Sequence, residues 1–391
     1  MDDDYACLSL SRRRCRSFID LAPSFTPTHL SWQSRQKLTL AKRALHAGRT
    51  GCPRSVASDP HIHLNSDTRW LIIFQNATPS NRMAHLLTQV VLTSLAMANP
   101  ALRLPENIPG DFFVDSTCID CDACRQIAPE TFTDAGDASI VYRQPLGERE
   151  TKRALMALVA CPTASIGTKE HHDAHIGIDA FPSQIAENVY FCGFTAESSF
   201  GAWSYLIVRP QSEGGNVLID SPRFATQLAG KIELMGGVRT MFLTHRDDVA
   251  DHRRFAERFN CERVMHADDG AARLGIDHIL HGTESVELDQ ELIAIPVPGH
   301  TRGHVVLLYR RKFLFTGDHL AWSPNRKTLT AFRGACWYSW AEQTRSMERL
   351  LDNYSEWNFE WILPGHGRIH HDSPAKMRAH LERCIEWMKT R

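Results

Sequence analysis

Two separate sets of metal-ligating side chains follow one another along this chain, and together they constrain it more than any other feature. Cys118, Cys121 and Cys124 are spaced Cys-x2-Cys-x2-Cys and are followed at a distance by Cys161-Pro162. Three thiolates on one tight loop, with a fourth brought from the end of a helix, suit a cubane iron-sulfur cluster, whereas a tetrahedral zinc site more often uses paired knuckles or includes histidine. Further along, His245, His252, His300, Asp318 and His366 fall at the ends of predicted strands. Loops there can gather them around a second metal site. The expectation is an electron carrier joined to a metal catalyst.

Composition narrows the alternatives. A chain of 391 residues has room for two or three domains and a sizeable core. Lys plus Arg is 44 against 45 Asp plus Glu, so no nucleic-acid partner and no membrane surface is expected. Of the 11 cysteines, those outside the cluster pattern, such as Cys192, Cys261, Cys336 and Cys384, are scattered singly. That is no disulfide framework, and a reducing, cytoplasmic setting is expected. The longest apolar candidate, Leu86 to Ala98, is too short to span a bilayer and carries Thr88, Gln89, Thr93 and Ser94.

Residues 1–98 lack helical or strand periodicity and read as a leader. It is either a transit peptide, which would place the protein in the plastid stroma, or a dispensable segment ahead of a start at Met83 or Met97. The acidic opening Asp2-Asp3-Asp4 argues against a transit peptide. Residues 99–170 read as the cluster unit, with a strand at Asp111 to Asp115, a hairpin around Ile140 to Tyr142 and a helix from Glu148 to Val159. Residues 171–186 read as a linker, whose His171, His172 and His175 are expected to be solvated. From 187 to 391 strands alternate with helices, read at Arg223 to Met235, Asp248 to Phe259, Trp340 to Asn353 and Pro374 to Lys389. This is an α/β chain with two packed sheets covered by helices.

The run from Cys118 through Cys124 to Pro129-Glu130 resembles single-cluster ferredoxins, over about Leu104 to Thr168. The resemblance implies one [4Fe-4S] cluster held by Cys118, Cys121, Cys124 and Cys161, in a ferredoxin-like α+β unit. Five later segments resemble the metallo-β-lactamase superfamily, whose fold is an αββα sandwich. They are Val217-Leu218-Ile219-Asp220, Thr244-His245-Arg246-Asp247-Asp248-Val249-Ala250-Asp251-His252, Pro298-Gly299-His300, Thr316-Gly317-Asp318 and Pro364-Gly365-His366-Gly367. By this resemblance Asp220 orients the metal loop, Asp318 bridges two divalent ions, His300 binds the first and His366 the second.

The second of these segments departs from the family's His-x-His-x-Asp-His. It has Asp247 at the second His position and two extra residues before Asp251-His252. The alignment gives His245, Asp247 and His300 to the first ion, and Asp251, His252 and His366 to the second. Asp248 is the alternative for either acid, and a degenerate site with one metal or none is the alternative for the whole. With three carboxylates serving the pair, iron or manganese competes with zinc.

The leading expectation is a metal-dependent hydrolase of a small ester, thioester or lactone. A metal-bound hydroxide would attack the carbonyl, with Asp251 orienting it and Asp318 bridging the ions. The alternatives are an iron-dependent oxidoreductase with a flavodiiron-like or mono-iron centre fed by the cluster, with a redox partner protein, and a non-catalytic iron-sulfur sensor. Glyoxalase II itself is disfavoured, because too few residues follow Asp318 for its helical glutathione-binding region.

Overall fold

The computed structural model describes residues 98–391. The leader expected over residues 1–98, with its candidate starts at Met83 and Met97, lies outside the described residues but for Ala98. Two sheets dominate the described chain. One has seven strands in the order His278–Leu280, Glu262–His266, Thr240–Phe242, Val217–Ile219, Tyr205–Ile207, Val189–Phe191 and Ser183–Ala186. The other has six, in the order Val286–Glu287, Leu292–Pro296, Val305–Tyr309, Phe313–Gly317, Trp361–Pro364 and His370–His371.

Strands such as Val305–Tyr309 and Phe313–Gly317 are apolar almost throughout because both of their faces are buried. The period of two sorts the residues. Leu292, Ala294, Leu307 and Phe315 join one core with Leu206, Leu218 and Phe242 of the facing sheet. Their neighbours Ile293, Ile295, Leu308 and Leu314 join a second core with Met347, Leu350, Leu381 and Ile385. These last four lie on the helices Trp340–Asp352 and Pro374–Lys389, which cover the outer face. Parallel pairs need long crossovers, and helices supply them: Thr226–Leu234 and His252–Phe259 in the first sheet, Trp340–Asp352 in the second.

The cysteine-bearing segment is smaller. Strand Phe113–Val114 pairs antiparallel with Ile166–Gly167, and Phe132–Asp134 forms a hairpin with Ser139–Val141. Asn107, which the sequence did not single out, ties the two together. Its amide donates to the carbonyls of Leu104 and Val114, and its oxygen accepts from Val114 N and Val141 N, each at 2.8–3.0 Å. Asn107→Ala would leave two buried N–H groups unpaired. We expect a loss of about 2–4 kcal/mol, read as faster release of iron on denaturant titration.

Three expectations change here. The segment expected as a linker, 171–186, carries the helix His175–Ile178 and the edge strand Ser183–Ala186, which completes the first sheet. The helix expected from Asp248 begins at His252, because residues 248–251 turn through the site. The hairpin Ala321–Ser323 with Thr328–Thr330 went unseen, its strands being too short to show a period. Among the described residues no helix is long and apolar enough to cross a membrane.

Candidate metal centre and cluster site

Five of the loops that follow strand C-termini meet at one edge of the sandwich. Asp220 leaves Val217–Ile219 with φ 54°, a left-handed conformation that Asp tolerates better than most residues. Its carboxylate accepts from Thr244 N at 2.8 Å and from the Thr244 hydroxyl at 2.9 and 3.0 Å. With its proton on Asp220, that hydroxyl accepts from His245 Nδ1 at 2.9 Å. His245 is then held with Nε2 facing the site, buried and without a hydrogen-bond partner among the described residues.

Asp318 stands at the centre. Its Oδ2 lies 3.9 Å from His245 Nε2 and 3.7 Å from His300 Nε2, and its Oδ1 lies 2.7 Å from His366 Nδ1. Each oxygen therefore serves a different group of donors. One is His245, His300 and Asp318; the other is Asp248, Asp318 and His366. Asp247 Oδ2 sits at the rim, 3.3 Å from His300 Nε2 and 4.0 Å from His245 Nε2.

Asp247 and Asp248 differ sharply in setting. The Asp247 side chain is 41% exposed, that of Asp248 2%, and both Asp248 oxygens are buried without hydrogen-bond partners among the described residues. Burial, with Asp318 and Asp220 beside it, drives the Asp248 pKa well above the usual carboxylate range. Burial would also raise Asp318, but His366, His300 and His245 outweigh it and hold that carboxyl low. Burial and the neighbouring His300 push His245 down to about 4. Gly365 allows the close approach: a Cβ there would lie 2.7 Å from Asp248 Oδ2 and 3.0 Å from Asp318 Oδ1.

The structure does not bring Asp251 and His252 to this cluster, which corrects the alignment drawn from the sequence. The Asp251 carboxylate accepts from Phe224 N at 2.8 Å, and His252 Nδ1 faces the Arg263 guanidinium at 3.4 Å. The Val249-Ala250 turn carries the chain away from the site, and Asp248 stands in their place. His304 accepts from Asp318 N at 3.2 Å and stacks on His245.

The donors fit divalent ions. Nitrogens and oxygens converge to within 3.3–4.0 Å of one another around His245 and His300, at or slightly beyond the roughly 3.3–3.6 Å edge of a tetrahedron of donors about 2.0–2.2 Å from one ion. A divalent cation would also give the unpartnered His245 Nε2 and Asp248 oxygens a counterpart and offset the repulsion between carboxylates.

The cysteine site is equally organised. Cys118, Cys121, Cys124 and Cys161 line one cavity with Ile119, Pro162 and Ile166. Asp120 and Asp122 take φ 59° and 68°, which curls the Cys-x2-Cys-x2-Cys loop. Arg125 fastens both of them, at 2.8 and 2.5 Å. Backbone N–H groups of Ser139 and Ser165 point at the sulfurs of Cys118 and Cys161, at 3.5 and 3.3 Å, as in sites that tune a cluster. Burial raises the thiol pKa of Cys118 to about 11 and lifts Cys121 and Cys124 as well. Iron would displace those protons.

Fold and site together define an iron-sulfur unit sharing a core with a two-sheet sandwich that gathers His and Asp donors at one edge. Residues 114–168 match the family described as the 4Fe-4S single cluster domain of Ferredoxin I. A hydroxyacylglutathione hydrolase of Mesorhizobium japonicum is 34% identical over 120 residues, 29% of this chain and 47% of the relative. That of Serratia proteamaculans is 36% identical over 75 residues, 19% of this chain and 29% of the relative. The chain thus spans less than half the length of these curated relatives. Among solved structures, ETHE1 from Myxococcus xanthus matches at 19% identity and TM-score 0.37, covering 51% of this chain and 89% of its own. The chain thus joins a segment that matches the single-cluster ferredoxin family to a part that is similar to hydroxyacylglutathione hydrolases.

Proposed function

We propose that the chain is a metal-dependent hydrolase of a small thioester, with a cluster unit over residues 99–170 and a catalytic sandwich over 183–391. The observation that carries this reading is the pair of donor groups sharing Asp318, with Asp248 and His245 Nε2 buried and unpartnered beside it. The relatives' printed activity, hydrolysis of hydroxyacylglutathione, is cleavage of a thioester and supports that substrate class over a lactone. His245, His300, Asp247 and Asp318 would hold one ion, and Asp248, Asp318 and His366 the other.

When bound, the ions supply a water of lowered pKa and a Lewis acid for the thioester carbonyl. The chain does the rest. Asp318, held ionised by its histidines, and Asp248, which would give up its proton to a bound cation, would accept the protons of the attacking water and aim its lone pair at the carbonyl carbon. Asp247, at the exposed rim, is kept ionised by His300 against the effect of burial and is placed to pass a proton to solvent. Trp337 and Tyr338 N–H groups donate to the His300 carbonyl at 2.8 and 3.1 Å, and the partly exposed Trp337 ring lies edge-on to His300 at 6.1 Å between centroids, where it would shield the acyl group from bulk water.

Anaerobically purified protein should hydrolyse short S-acyl thioesters, followed by release of the free thiol. Asp318→Asn should lower kcat on the order of a thousandfold, since one donor group receives an amide nitrogen in place of an oxygen and the negative charge between the two groups is lost. Thiol release by Asp318→Asn at the wild-type rate would sink the reading. Elemental analysis gives the metals at the same time. About four iron plus two zinc per chain supports hydrolysis, whereas about six iron turns the reading toward an oxidoreductase with a redox partner protein.

A further inference from the structure

The cluster loop touches the metal loop through one short stretch of chain. Gly201, at φ 83°, packs so tightly on the cluster site that a Cβ there would lie 2.6 Å from Cys121 Cβ and 2.8 Å from its Sγ. The residue before it, Phe200, accepts from His366 Nε2 at 3.3 Å through its carbonyl, and His366 Nδ1 lies 2.7 Å from Asp318 Oδ1. From Cys121 to Asp318 the path is therefore one van der Waals contact, one peptide unit and one imidazole with a hydrogen bond at each of its nitrogens.

The surroundings hold this path rigid. Trp203 N donates to the Gly365 carbonyl at 2.8 Å, and the Tyr205 hydroxyl to that of Pro364 at 2.6 Å. Arg368, two residues past His366, pairs with Asp122 of the cysteine loop at 3.3 Å. On the other side, the carbonyls of Val159 and Ala160, just ahead of Cys161, accept from Arg223 and from the Thr195 hydroxyl. One apolar core runs through both parts, from Phe112 and Leu155 to Phe191 and Leu206. A charge added at the sulfurs is thus separated from the His366 and Asp318 donors by packed protein rather than bulk solvent, where screening is weaker.

We propose that Phe200 and Gly201 couple the two centres, so that one-electron reduction of the cluster tightens divalent-ion binding at Asp248, Asp318 and His366. The coupling rests on the metal-binding reading under Proposed function and adds redox control to that site. The electron comes from a low-potential one-electron donor and stays on the cluster. No bond forms or breaks and no proton moves; the change is one added negative charge beside the path to His366. Linkage makes the effect reciprocal: if reduction tightens metal binding, bound metal must raise the cluster's reduction potential.

Zinc is the probe, because it cannot accept the electron. The cluster of the full chain is titrated potentiometrically by its visible absorbance, with the metal site stripped by chelator and again after zinc loading. Zinc affinity is measured on oxidised and dithionite-reduced protein. We expect reduced protein to bind zinc on the order of tenfold tighter, which corresponds to a rise of about 59 mV in midpoint potential on loading. Gly201→Ala should shrink the shift or expel the cluster, and Arg368→Gln, which keeps all four cysteines, should shrink it while leaving both centres occupied. Zinc bound with an unmoved potential overturns the coupling and leaves the hydrolase reading intact. A shift of full size in both variants overturns the role given to this stretch. Failure of the wild-type site to bind zinc overturns coupling and hydrolase reading together.

Discussion

Asp248→Ala is expected to lose one of the two ions, with affinity falling by at least a hundredfold, while Asp251→Ala keeps both. The physical difference is plain. Asp248 is sealed in the site with two oxygens unpartnered among the described residues, facing Asp318 and His366. A ligand in that position carries more of the affinity than an outer partner, whose loss alone costs about 10–100-fold. Asp251 has spent its carboxylate on Phe224 N. Its removal should cost about 1–3 kcal/mol of stability, visible in thermal unfolding, with metal content unchanged. Elemental analysis of the two variants decides it. An ion missing from Asp251→Ala but present in Asp248→Ala would restore the ligand set that the linear motif suggested.

The second large effect belongs to the cluster. Cys121→Ser should remove essentially all iron and sulfide from the cysteine cavity and abolish the broad absorbance near about 400 nm expected of such clusters. Cys121 is the sulfur in contact with Gly201, so its loss should also free the stretch that leads to His366. Because metal-binding energy is folding energy wherever the empty site is less ordered, the unfolding midpoint should fall as well. Cys192→Ser is the control. That cysteine is buried in the same core but does not line the cavity, so its variant should keep its iron. Full iron and sulfide in Cys121→Ser would dismiss the assignment of this residue.

Much of the fold could be read from the chain because the relevant signals are local. The helices Trp340–Asp352 and Pro374–Lys389 lie within a residue or so of their expected limits, since an apolar stripe at helical spacing and a Ser or Pro at the start are properties of consecutive residues. The long strands of the second sheet announce themselves by continuous apolar runs. Short strands carry no such period. Ser183–Ala186, taken as linker, is a strand only because Val189–Phe191 lies beside it. Asn107 follows Glu106 in an unremarked turn of the sequence and is a four-bond anchor in space.

The site divides in the same way. Residue types and spacing alone placed a cysteine loop ahead of a His and Asp centre, because a ligand must be a particular side chain and a loop ligand must follow its strand. That Asp248, and not Asp251, stands beside Asp318 and His366 was beyond the sequence. Three carboxylates within five positions are chemically equal until the backbone turns, and the direction of that turn is set by Asp220, Thr244 and the close pass of Gly365, far apart in the chain. The contact between Cys121 and Gly201 is likewise a matter of tertiary packing. Nothing local to either residue announces the other, and only the docking of two units into one core brings the cluster within a peptide unit and an imidazole of Asp318.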